Sequence, residues 1–133
     1  MARTTDFDTV NVKEYFLKET VVTTANEAAA RTYTAAEILS GLILRDPNGA
    51  GRNDVTPTAT AIIAEAGANN VGASFEFMIR NTADAAETIT LTAGTGVTLS
   101  GTMTIAQNNS RTFLAVITSP TTVTIYSKGT VVT

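Results

Sequence analysis

Asp46 and Asp54 bracket the loop Asp46-Pro-Asn-Gly-Ala-Gly-Arg-Asn-Asp54, and that carboxylate pair is the only general acid-base device the chain offers. The loop shares features with calcium-binding loops: oxygen-bearing side chains at its first and third positions and a glycine at its sixth. The likeness stops at the fifth position, Ala50, and at the twelfth, Pro57, where a bidentate Glu belongs. A plain turn is the better reading. Ala93-Gly-Thr-Gly96 has too few glycines for a phosphate cradle and no lysine after it, so it reads as a hairpin turn. Serines 40, 74, 100, 110, 119 and 127 have no histidine anywhere to activate them, and none stands at a motif spacing from Lys13, Lys18 or Lys128.

The missing residue types close further routes. There is no His, Cys or Trp. Without imidazole or thiol, most nucleophilic, acid-base and soft-metal chemistry is excluded, and neither a cofactor nor a metal is expected. A sugar site would have to be built from Tyr126 or Tyr33 beside Asn108 and Asn109, with no Trp as a platform; packing is the competing role for both tyrosines. A net charge of −3, with basic residues scattered singly from Arg3 to Lys128, argues against nucleic acid and against an anionic membrane surface. No apolar run is long enough to cross a bilayer, and residues 1–10 hold Asp6 and Asp8 and no apolar signal core. Synthesis in a cytoplasm is the expectation, and the acceptor-like Asn108-Asn109-Ser110 then has no use. The expected class is a non-enzymatic binding or structural module.

The elements that must position these residues fall into two parts. At 133 residues the chain is expected to form one domain, residues 20–133, preceded by an N-terminal arm, 1–19. The arm is the most charged stretch, with Phe7, Tyr15, Phe16 and Leu17 among its charges. Asn11 and Glu14 form a capping-box pattern that would place Val12, Tyr15 and Phe16 on one face of a short helix. Such a helix is marginal alone and needs a surface to dock on. Two readings stay open: the arm folds back on its own domain, or it reaches a neighbouring subunit or scaffold. In the second reading Phe7, Val12, Tyr15, Phe16 and Leu17 supply apolar contact, with Lys13 and Lys18 at a polar rim.

Beyond the arm, Thr20–Thr24 reads as a strand. A capping box at Thr34–Glu37 opens a helical turn that Gly41 ends, and Leu42–Leu44 reads as a strand. A turn and loop then run to Asp54, and Thr56 is expected to cap a short helix that starts at Pro57 and closes at Gly67. From Ser74 the period becomes two, with Phe75, Phe77 and Ile79 on one face, then Thr88–Thr92, Val97 with Leu99, and Met103 with Ile105. Asn81–Ala86 reads as a turn. Phe113–Ile117 is apolar on both faces and must be covered on both sides, centrally or at an interface, while Val123 and Ile125 mark a last strand with Tyr126 outward. Past Glu87 only Arg111 and Lys128 carry charge. So charge-poor a β half suggests surfaces that sit against other subunits. The expected fold is mainly β, a compact antiparallel sandwich or jelly-roll-like barrel, with two short helical insertions that could plug one end.

Phe75-Glu-Phe-Met-Ile-Arg-Asn-Thr82, Thr92-Ala-Gly-Thr-Gly-Val-Thr-Leu-Ser-Gly101 and the stretch from Thr32 to Pro47 resemble small β domains of tailed-phage virion proteins. Among these are capsid decoration (cement) proteins and the tips of fibres or spikes. The resemblance rests on composition and turn motifs. It implies a homotrimer at the three-fold positions of an icosahedral head, bound to the major capsid protein and reinforcing the expanded shell from outside. The alternative it allows is a receptor- or glycan-binding tip domain. A small domain with a sticky arm and no long shaft favours cement.

Overall fold

In a computed structural model the structure describes residues 19–67 and 70–132. The chain is mainly β, and its sheets pack together as a sandwich. Its strands are β1 (Val22–Asn26), β2 (Leu42–Asp46), β3 (Arg52–Val55), β4 (Ser74–Asn81), β5 (Ile89–Thr92), β6 (Val97–Ser100), β7 (Thr104–Ile105), β8 (Asn109–Ser119) and β9 (Thr122–Val132). The helices are α1 (Ala35–Ser40) and α2 (Ala59–Ala66). One sheet has six strands in the order β1-β2-β4-β8-β9-β6, and the other has three, β3-β5-β7.

The sheets are mixed, not wholly antiparallel as a jelly roll requires. β1 with β2, β2 with β4, β3 with β5 and β6 with β9 pair parallel; β4 with β8, β8 with β9 and β5 with β7 pair antiparallel. Parallel neighbours need a crossover, and helices lie in those joining β1 to β2 and β2 to β4, while β6 reaches its parallel partner β9 through β7 and β8. α1 lies between β1 and β2 in the chain, and α2 between β2 and β4. The helical pieces are therefore connections across the sheet face, not plugs. Likewise Ala93–Gly96 is not a hairpin turn, because it carries the chain from β5 in one sheet to β6 in the other.

Local chemistry accounts for the helix ends. Thr34 Oγ1 accepts from Glu37 N–H while the Glu37 carboxylate accepts from Thr34 N–H, the expected capping box, and Gly41 ends α1 in the left-handed region. α2 starts two residues later than expected, capped by Thr58. Thr56 is instead held by the β5–β6 turn: its N–H donates to Thr92 O, and its hydroxyl accepts from Gly94 N–H at 2.8 Å and donates to Pro57 O. Gly94 must lack a side chain here, because a Cβ would meet Thr56 O at 2.5 Å and Pro57 O at 2.7 Å.

The core lies between the inner face of the large sheet and a layer made of α1, α2 and the small sheet. Ile38, Ile62, Ile89, Leu91 and Ile105 from that layer meet Ile43, Phe77, Ile79, Phe113, Ile117, Val123 and Ile125 of the large sheet. Phe77 and Phe113 stack with ring centroids 5.1 Å apart. Asn81, expected in a turn, is the last residue of β4 and is fully buried. Its amide donates to Glu87 O and Ile105 O and accepts from Ala83 N–H, tying β4 to the other sheet.

Candidate functional site

The chemistry-bearing residues of the N-terminal half converge, but on one another. Asp54, expected in a loop, sits in β3 because Arg52–Val55 pair with Ile89–Thr92. Arg45, Asp54 and Tyr33 are buried together. Arg45 Nε donates to Asp54 Oδ2 at 2.7 Å and its Nη2 to Asp54 Oδ1 at 3.1 Å, a two-point pair. Its remaining donors go to the carbonyls of Glu27, Asp46 and Ala29. Asp54 also accepts from Tyr33 Oη at 2.7 Å and Arg31 N–H at 2.9 Å. All five guanidinium N–H groups and the four lone-pair positions of the carboxylate are thereby engaged.

Such closure makes the cluster structural. Burial first, then the charge of Asp54, pushes the Tyr33 phenol far above its usual range, so it stays a neutral donor. For Arg45, burial acts to lower the pKa, and the hydrogen bond and charge of Asp54 outweigh it, leaving the pKa raised. Asp54 thus has no free oxygen for a substrate or metal. Asp46, the other carboxylate of the expected pair, accepts from Asn48 N–H at 2.9 Å and so closes the turn that follows it. The buried hydroxyl of Tyr33 belongs to packing and not to a sugar platform. Tyr126 faces outward as expected, 43% exposed.

The charge-poor half behaves differently. Arg111 is buried with neutral partners: Nε donates to Thr104 O at 2.9 Å and Nη1 to Ser127 Oγ at 2.8 Å. Burial lowers its pKa. Lys128 is exposed and pairs with Glu76 across the intervening strand β8. Beyond Glu87 the surface therefore presents one cation, already paired.

The outer face of the large sheet, to which both halves contribute, mixes apolar and polar side chains. Strand alternation sends Leu42, Leu44, Met78, Leu114 and Val116 to the outer face of the large sheet, opposite the core. Register sets them in rows broken by polar residues: Val22–Leu42–Met78–Thr112 across β1, β2, β4 and β8, then Glu76–Leu114–Tyr126 and Ser74–Val116–Thr124 across β4, β8 and β9, with Arg80 beside Leu44. These five leucine, methionine and valine side chains are half-buried and belong neither to the core cluster nor to the apolar side chains packed on it. Val22 is 47% exposed. Both helices and the small sheet pack on the opposite face, so among the described residues no layer covers this one.

No family model, curated protein or solved structure matches this chain. Its functional surface is read from its own geometry. The arm residues expected to make partner contacts, Phe7, Val12, Lys13, Tyr15, Phe16, Leu17 and Lys18, lie outside the described residues. The outer-face row was only half legible: the two-sided pattern of Phe113–Ile117 flagged Leu114 and Val116. Leu42, Leu44 and Met78 join them only once parallel pairing sets β1, β2 and β4 side by side.

Proposed function

We propose that this chain is a structural, self-associating β module that binds the outside of an icosahedral phage capsid as a homotrimer and stabilises it. The observation that carries the reading is the outer face of the six-stranded sheet, where Leu42, Leu44, Met78, Leu114 and Val116 lie outside the core cluster. These five apolar side chains share the face with Ser74, Glu76, Arg80 and Thr112, the mixture found at interfaces between subunits, and three copies around a three-fold axis can turn it inward. Two features support it. The buried carboxylate of the N-terminal half is saturated by internal partners, which leaves it no role in catalysis. The resemblance of the Thr32–Pro47, Phe75–Thr82 and Thr92–Gly101 stretches to virion β domains is the second support. A trimer would engage three equivalent lattice sites at once, so weak contacts multiply through avidity.

The test mixes purified protein with expanded heads that lack a decoration protein and sediments the heads. Stoichiometric co-sedimentation with a raised disruption temperature of the heads is expected. Bare heads, with the protein adhering to host envelopes or glycans, would replace this reading with a receptor-binding tip.

A further inference from the structure

Strand β1 ends the six-stranded sheet, so the edge away from β2 has no partner strand among the described residues. Its sequence, Val-Thr-Thr-Ala-Asn, has none of the Lys, Pro or bulge features that usually guard an edge. Beside it an open groove of about 230 Å³ is lined by Val21 and Thr23 on the strand side and by Ala36, Glu37 and Ser40 of α1. The polar groups of α1 there are engaged: Glu37 pairs with Arg31 and accepts from Thr34 N–H, and Ser40 Oγ donates to Glu37 O. What remains on offer is the apolar surface of Val21, Ala36 and the Thr23 methyl. The volume falls below the roughly 300–1,000 Å³ of a small-molecule site. It suits one or two apolar side chains carried on an extended segment that pairs with the free strand edge.

Residues 1–18 carry the apolar side chains such a segment needs. They hold Phe7, Tyr15 and Phe16 out of the chain's five Phe and three Tyr, together with Val10, Val12 and Leu17. The sequence contains no Gly or Pro before Gly41, so residues suited to a tight reversal are scarce there. Glu19, Thr20 and Val21 run into β1 without a turn. Seating the chain's own residues 15–17 in the groove would require a reversal within the few residues before Val21, which the segment of a second copy does not need.

We propose that the β1–α1 groove receives the N-terminal segment of a second copy of this chain, paired along the free edge of β1 with an aromatic side chain from Tyr15–Leu17 seated between Val21 and Ala36. This rests on the self-assembly reading above. Arm into groove is a head-to-tail contact, and it closes into a ring when three copies complete the rotation.

Because the chain has no cysteine, an engineered pair gives an unambiguous readout. Ala36→Cys is placed in one chain and Phe16→Cys in a second, differently tagged chain, and the two are co-expressed and mildly oxidised. Tyr15→Cys and Leu17→Cys serve as alternates, and Thr102→Cys, at an exposed site on the β6–β7 connection, replaces Ala36→Cys as the control. A disulfide joining the two tags, absent from the control, is expected. In a chain carrying both Ala36→Cys and Phe16→Cys, a purely intrachain disulfide would show that the arm docks at home and would overturn the proposal. A trimer by light scattering with no cross-link from any of the three arm positions would overturn the groove assignment alone. A monomer would remove the self-assembly reading as well.

Discussion

The two faces of the six-stranded sheet differ both in their side chains and in their surroundings. On the inner face Ile43, Phe77, Ile79, Phe113, Ile117, Val123 and Ile125 are each at most 2% exposed, packed under the helices and the small sheet. On the outer face Leu42, Leu44, Met78, Leu114 and Val116 alternate with them along the strands, stand beside Glu76, Arg80 and Thr112 on neighbouring strands, and are partly buried outside the core cluster. The difference teaches that apolar content places a strand in a sheet but does not say how many of its faces the chain itself covers. Where a strand is apolar on both sides and the fold supplies one layer, the second face is the surface on which the proposed self-association rests.

Substitutions on adjacent residues of β8 should separate the two faces. Phe113→Ala removes a ring stacked on Phe77 and should cost about 3–5 kcal/mol of stability in denaturant titration. Its neighbour Leu114, replaced by Asp, should leave the subunit fold nearly intact while abolishing association. Equal unfolding by both variants would mean that the outer face is as well packed as the inner one.

The polar counterpart of the inner core is the Arg45–Asp54 pair. Asp54→Asn leaves a buried guanidinium without its counter-charge and should cost about 3–5 kcal/mol, read as a lower melting temperature. The same cluster fixes the pH response. Tyr33 is held neutral in the fold, with its pKa raised, while an unfolded tyrosine ionises near 10. The unfolded state therefore releases a proton that the native state keeps. That contribution to stability is intact below about pH 10 and declines above it by up to ~1.4 kcal/mol per pH unit. With no His in the chain, melting should be flat between pH 5 and 8. A melting curve that changes steeply near pH 6–7 would contradict this. The smallest effect belongs to the outer face: Lys128→Ala removes an exposed pair with Glu76 and should change stability by about 0–1 kcal/mol.

Period-two alternation made the strands from β4 onward legible in sequence, and turn and capping chemistry located α1 to within a residue or two. Topology was not legible, because whether neighbouring strands run parallel depends on where the connections cross. The chain gives no local sign that α1 and α2 are those crossovers. The role of Asp54 was hidden for a related reason. Read locally, Asp46–Asp54 is a turn-rich loop; only the pairing of β3 with β5 buries its last residue beneath Arg45. The outer face was announced by Phe113–Ile117 as a strand needing two covers, and its full extent depended on the same parallel pairing.

The central claim is that the outer sheet face is covered by other copies of this chain, and the direct measurement is solution mass by light scattering at micromolar concentration. The wild-type protein should give three times the 13.9 kDa chain mass. Leu114→Asp should give the single-chain mass with an unchanged far-UV circular dichroism spectrum. A wild-type monomer, or a variant that remains trimeric, would contradict the assignment of this face to self-assembly.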